Sequence, residues 1–306
     1  MANHADVNSA IRLENANRLE NANVSTALLP ELGGKMISLK DKHSGFEFLF
    51  QNPRGEYRLP GEYDGFANYD ASGFDDAFPN INESVSQVNG MDVHFPDHGE
   101  IWRTRMNARQ DESGVTLTCR GTVLPYMYQK RVSLLKGGVQ LDYCITNESD
   151  KPIPCLWTMH CLANCDDDMR LILPDTPSAA ENVFEGPIHG KAGITMPVDD
   201  ALTHLPSSAK GKMLKWYMHG KVSEGRCGYE YPSRGVRLML EYDADKLPYL
   251  GFWCTLGGFR GDVNAALEPT TGYYDDIEIA RAHNALPEIA PGEKFEFTLK
   301  MLIEHI

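Results

Sequence analysis

Three residues of this sequence have the types needed to pass protons to and from a bound molecule. Glu268 closes the short apolar run Asn264-Ala-Ala-Leu-Glu-Pro269. Proline lacks a backbone donor and biases the residue before it towards extended backbone, so the pattern predicts a strand end that delivers this carboxylate at a sheet rim. His98 lies in Phe95-Pro-Asp-His-Gly-Glu100, where Gly99 permits close backbone approach and Asp97, Glu100 and Arg103 could orient or charge the imidazole. His160 ends Cys155-Leu-Trp-Thr-Met-His160, which reads as a nearly buried strand. Taken singly, each has a plainer reading: a loop glutamate in water, a surface histidine in a polar turn, a hydrogen-bonded core histidine. Together they offer more, because a carboxylate and an imidazole with ordinary pKa values of about 4.3 and 6.5 can be ionised base and protonated acid at one neutral pH.

Aromatic residues fall near these points. Trp102, Trp157, Trp253, Tyr273 and Tyr274 could stack on the apolar face of a sugar ring, although core packing is the commoner use of each. Other chemistries are poorly supplied: there is no G-x-S-x-G elbow, no G-x-x-x-x-G-K-[ST] phosphate loop and no H-E-x-x-H pair. Gly257-Gly-Phe-Arg-Gly261 is glycine-rich but lacks the dinucleotide fingerprint. Cys161 and Cys165, beside His160, form a C-x₃-C spacing without a second pair, whereas a structural zinc site takes four ligands. Asp166-Asp-Asp168 and Asp275-Asp276 read as exposed acidic turns in preference to sites for a hard cation. The expectation is a site with no metal and no organic cofactor.

A chain of 306 residues has ample length for a buried core, and its formal net charge of −14 argues against nucleic acid and anionic membrane surfaces as partners. A small neutral ligand fits that charge most easily. Seven cysteines, an odd number lying mostly in strand-like segments such as those of Cys119, Cys144, Cys155 and Cys254, suit reduced core thiols. Residues 1–8 have neither the basic region nor the apolar core of a secretory signal, which makes a cytoplasmic location the expectation.

What must position the candidate residues is mostly β-structure. Period-two stripes run through Val115, Leu117 and Cys119; through Val139, Leu141, Tyr143 and Ile145; through Val236, Leu238, Leu240 and Tyr242; and through Phe295 to Ile303. Val24–Leu29 and Lys35–Leu39 around Gly33-Gly34 predict an opening meander, with a further short strand at Glu47–Phe50. Turn residues separate the stripes and no long amphipathic helix competes with them, so a large antiparallel sandwich is the natural solution. The tandem Arg-Leu-Glu-Asn-Ala-Asn at 12–23 is too short to be a solenoid. Residues 51–82 and 174–222, the second carrying Pro174, Pro177, Pro187, Pro197 and Pro206, read as long ordered loops over a binding face. No linker divides the chain, so 1–306 is expected to be one domain, with residues 1–10 as a loose N-terminal extension.

The pattern resembles the aldose 1-epimerases, or galactose mutarotase-like proteins. The resemblance is carried by Asn21-Ala-Asn-Val24, Leu29-Pro-Glu-Leu-Gly-Gly-Lys-Met36, Phe95-Pro-Asp-His-Gly99, the strand with His160, Leu267-Glu-Pro269 and Leu286-Pro-Glu-Ile-Ala-Pro-Gly-Glu293, and so spans nearly the whole chain. It implies a large antiparallel β-sandwich and a small-molecule carbohydrate as partner. It further implies that Glu268 is the general base removing the anomeric hydroxyl proton, that His160 is the acid protonating the ring oxygen, and that His98 hydrogen-bonds the sugar's oxygens. Asp76, Arg103 and Trp253 are expected to supply further substrate contacts. Two other functions use the same cleft: a hexose-phosphate 1-epimerase, which needs a basic pocket, and a sugar-binding or regulatory protein that kept the fold and lost turnover.

Overall fold

Alternation along the strands becomes the two faces of two large antiparallel sheets. The structure, a computed structural model, describes residues 9–205 and 209–306; most of the expected N-terminal extension, and Pro206, lie outside the described residues. One sheet has eight strands, in the order Arg170–Ile172, Arg226–Tyr231, Val236–Tyr242, Lys294–His305, Gly138–Asn147, Tyr126–Leu135, Gly114–Arg120, Asn107–Asp111. The other has eleven. From one edge it runs Thr195–Pro197, Ala179–Asn182, Met213–Met218, Tyr249–Leu256, Val263–Thr270, Thr158–Cys161, Phe74–Ala77, Lys35–Asp41, Val24–Leu29, Asn17–Glu20, with Ala163–Asn164 pairing off this path beside Val263–Thr270.

The predicted stripes supply the core between the sheets. Val115, Leu117, Val139, Leu141, Leu238 and Leu299 are all fully buried there. From the eleven-stranded sheet come Met36, Phe74, Met159, Leu214, Trp216, Phe252, Ala265 and Leu267. Within this layer the Trp157 indole N–H donates to the Tyr128 hydroxyl at 3.0 Å. The seven cysteines are free thiols, five of them buried.

Three predictions of detail fail for identifiable reasons. Glu47–Phe50 does not form a strand and makes only the isolated bridges Lys40 to Glu47 and Leu49 to Ala163. There the Glu47 carboxylate takes the backbone N–H groups of Leu39 and Leu49, at 2.8 and 3.0 Å, leaving the segment without a continuous ladder. The two stretches read as loops both contain central strands, Phe74–Ala77 in the first and Met213–Met218 in the second. Pro269 does not end its strand, which continues to Thr270 with Pro269 opposite Leu250; the fixed φ of proline is compatible with extended backbone. Among the described residues no helix is long and apolar enough to cross a membrane.

Candidate active site

One row of residues crosses the eleven-stranded sheet. Antiparallel register sets Tyr217 opposite Gly251 and Gly251 opposite Glu268. The next pair of strands is in register at Thr158–Thr270 and again at Ala163–Ala265, which puts His160 opposite Glu268 between them. His160 is itself opposite Asp75. Directly opposed residues share a sheet face, and this is the face turned away from the core, since the alternate residues Met159, Ala265 and Leu267 belong to the core cluster. Gly251 makes room in the row. A Cβ there would stand 3.0 Å from the Tyr217 ring and 3.2 Å from Glu268 Oε2.

His98 reaches the same face from the turn after the strand Met91–Phe95. Its backbone is left-handed, with φ +57°, a conformation that costs a non-glycine residue on the order of 1–3 kcal/mol and gathers at functional sites. Several contacts hold it. The His98 N–H donates to the Ile81 carbonyl at 2.5 Å, and the Trp102 indole N–H donates to the carbonyls of Asp97 and Gly99 at 3.0 and 3.1 Å. A Cβ on Gly99 would meet the Phe78 carbonyl at 2.1 Å, so only glycine fits beside the histidine. Nδ1–H of His98 donates to Asp97 at 2.7 Å, which fixes the ring and leaves Nε2 free of that bond. The ring lies parallel to Phe66 at 4.2 Å and meets the His160 ring edge-on at 4.8 Å.

These side chains line a cleft of ≈ 260 Å³, somewhat below the roughly 300–1,000 Å³ of drug-sized sites. Glu268, His160, His98, Asn264, Lys215 and Asp275 supply its polar lining, and Phe66, Leu162, Phe184, Trp253 and Phe259 its apolar walls. Glu268 is 1% exposed. Lys215 Nζ lies 3.2 Å from Glu268 Oε2, an ion pair, while Glu268 Oε1, Asn264 Oδ1 and His160 Nδ1 have no hydrogen-bond partner. Buried polar atoms are almost always bonded, so three such atoms around one cleft point to groups met by a ligand.

Burial pushes the Glu268 carboxyl up from its ordinary value, opposed by Lys215 and assisted by Asp275. Burial pushes His160 well below its ordinary range, and the nearby His98, Lys215 and Lys35 add to this. The two values are therefore driven towards each other, the condition under which proton exchange through a bound molecule meets the smallest energy gap. Burial alone would raise Asp97, but its bonds to His98 and the Phe66 N–H hold it below the usual carboxylate range.

Glu268, His160, His98 and Trp253 thus converge on one cleft; Asp76 and Arg103 do not. Strand alternation accounts for Asp76. Asp75 shares the face of His160, where Lys35 Nζ meets it at 2.5 Å, and Asp76 is turned to the core between the sheets. There it accepts from Lys130 Nζ and the Tyr143 hydroxyl, each at 2.9 Å, with no side-chain exposure on either side of the ion pair. Asp76→Ala would leave the Lys130 ammonium buried and unpaired, and is expected to cost about 3–5 kcal/mol of stability, measured by denaturant unfolding. Arg103 sits in the 3₁₀ turn Ile101–Arg103, which directs its guanidinium to the Gly61 carbonyl at 3.1 Å, outside the cleft lining.

Sequence reasoning missed Lys215, Asn264 and Asp275. Asp275 is no exposed acidic turn: it is 6% exposed, paired with Lys215 at 2.7 Å and bonded by the Tyr217 hydroxyl at 2.5 Å. Its neighbour Asp276 instead caps the short helix Ile277–Ala282. The signal for Lys215 was present in the alternation of Leu214, Trp216 and Met218 with Lys215 and Tyr217.

No protein-family model and no curated protein matches the sequence. Solved structures do match in fold. A protein from Synechocystis sp. PCC 6803 aligns with a TM-score of 0.77 over 100% of both chains at 14% identity. A candidate aldose 1-epimerase from Escherichia coli K12 aligns at 0.73 and 15% identity, over 95% of this chain and 99% of its own. A galactose mutarotase-like protein from Lactobacillus casei ATCC 334 aligns at 0.70 and 17% identity, over 94% and 100%. The fold is the galactose mutarotase-like β-sandwich.

Proposed function

We propose that this chain, a galactose mutarotase-like sandwich, is an aldose 1-epimerase that interconverts the α and β anomers of a free sugar by acid–base ring opening. The observation that carries the reading is the buried Glu268 carboxylate, paired with Lys215 through Oε2 and with Oε1 unpartnered, in the same cleft as His160. Glu268 takes the proton of the anomeric hydroxyl, the electron pair left on O1 forms the C1 carbonyl, and the C1–O5 bond breaks as His160 delivers a proton to O5. Rotation about C1–C2 presents the other carbonyl face. Closure by the reverse transfers restores both groups. Each positioned group contributes about 10²–10⁴-fold in such steps. His98 Nε2 would hydrogen-bond a sugar oxygen, and Phe66, Trp253 and Phe259, which line the same cleft, would pack on the ring.

Charge favours a free sugar over a sugar phosphate. Lys215, the one lysine or arginine among the described residues that line the cleft, is matched by both Asp275 and Glu268, so a phosphate would bring its negative charge to two carboxylates. Exchange spectroscopy across free aldoses and their phosphates tests this. Acceleration of at least one free aldose is expected, and acceleration confined to phosphates would overturn the substrate class.

The pH dependence follows from the shifts. Turnover requires Glu268 ionised and His160 protonated, so kcat/KM falls on the acid side as Glu268 gains a proton and on the alkaline side as His160 loses one. Burial raises the first limb above the ordinary 4.5 and lowers the second below the ordinary 6.5. A narrow bell is expected, with its limbs drawn together from those two values and belonging to the pair as a whole. A rate that stays level through pH 8 would contradict it.

A further inference from the structure

Glu268 and Asp275 flank the same ammonium, and their oxygens are used differently. Lys215 Nζ stands 2.7 Å from Asp275 Oδ2 and 3.2 Å from Glu268 Oε2, on a side chain that is 12% exposed. The other oxygen of Asp275 takes the Tyr217 hydroxyl at 2.5 Å. Its backbone carbonyl accepts the N–H groups of Ile81 and Asn82 at 3.2 and 2.8 Å. Asp275 therefore holds Lys215 by the shorter contact and is itself held by Tyr217 and by two backbone N–H groups, whereas Glu268 meets Lys215 through Oε2 alone and keeps Oε1 without a partner. The ammonium is anchored on the Asp275 side and leaves one Glu268 oxygen open to the cleft.

We propose that Lys215 is a positioning residue for Glu268: anchored by Asp275 and Tyr217, its ammonium keeps the Glu268 carboxylate ionised and fixed in the cleft while Glu268 Oε1 stays available to a sugar. The inference rests on the aldose 1-epimerase reading for the reaction it serves. Its electrostatic content stands on the geometry. An opposite charge within about 4–6 Å lowers a carboxyl pKa by about 1–3 units and a like charge raises it, so Lys215 and Asp275 act on Glu268 with opposite signs. The directions of the shifts at Glu268 agree, with burial as the largest cause, Lys215 opposing it and Asp275 adding to it. The other charged or titratable groups facing Glu268 are Tyr217 across Gly251, His160 on the adjacent strand and His98 on its turn; none is altered in the variants below.

The test is the acid limb of the kcat/KM profile, measured beside a ¹³C titration of the Glu268 side-chain carboxyl, assigned by its loss in Glu268→Gln. Lys215→Met should move the limb and the titration up by about 1–3 pH units. Asp275→Asn should move both down, and Lys215→Arg should leave them within a few tenths of a unit of the parent. A structural role alone would change stability without opposed shifts of one titration. No shift in Lys215→Met, or shifts of the same sign in Lys215→Met and Asp275→Asn, overturns the proposal. Should Lys215→Met fail to fold, Asp275→Asn decides by its downward shift or the lack of one. Should no sugar be turned over, the aldose 1-epimerase reading fails, while the carboxyl titration still decides the role of Lys215.

Discussion

Glu268→Gln is expected to slow anomer exchange by about 10²–10⁴-fold at saturating sugar, the contribution of a positioned proton-transfer group, with the fold intact. The amide matches the carboxylate in size but cannot take the anomeric proton. Lys215 keeps Asp275 as its partner at 2.7 Å, so no ammonium is stranded by the change. The one polar contact that the substitution weakens is the 3.2 Å approach of Lys215 to Oε2, which an amide oxygen can still accept. Removing a buried carboxylate whose ionisation burial opposes should leave the melting temperature equal or higher. Exchange spectroscopy and thermal unfolding on one preparation check both halves: lost rate with retained stability marks a catalytic group, and lost stability with it marks a structural one.

His160→Gln carries the second large effect, again about 10²–10⁴-fold, because O5 loses its proton donor. Its Nδ1 has no partner, so the variant abandons no bond there, and the edge contacts with His98 and Phe66 at 4.8 and 5.0 Å are the packing at risk. KM should change far less than kcat if the imidazole acts on the breaking ring bond and His98 carries the ground-state contacts. Acid and base work as one unit, so Glu268→Gln combined with His160→Gln should cost little more than either change alone. Multiplied losses, read from the same exchange measurement, would mean that the two groups act in separate steps.

The strands were legible where one face is apolar and the other polar, as at Val139–Ile145 and Val236–Tyr242. Legibility ended where that contrast ends. Phe74–Ala77 is buried on both faces and carries two adjacent aspartates, each neutralised by a lysine distant in sequence: Lys35 for Asp75, Lys130 for Asp76. Nothing local announces a strand there, and which aspartate faces the cleft depends on a one-residue register that only pairing with the His160 strand fixes. Asp76, expected as a substrate contact, therefore turns out to face Lys130 and Tyr143 in the core. Glu268, His160 and His98 were readable as chemical types, but their convergence depends on strand order, which sets the His160 strand beside the Glu268 strand. Lys215 went unrecognised because prolines and glycines on either side made its strand resemble loop, although its own alternation is regular.

The central claim is that this cleft turns sugar over, and one sample tests it directly. A free aldose at anomeric equilibrium is mixed with the protein, line broadening of the sugar resonances reports binding, and exchange cross-peaks between the two anomeric protons report turnover. The account expects saturable broadening together with cross-peaks that grow far faster than in buffer for the parent protein, and at the buffer rate for Glu268→Gln. Saturable broadening by the folded parent protein with exchange no faster than in buffer, for every aldose that binds, would contradict it and leave a sugar-binding protein on the same fold.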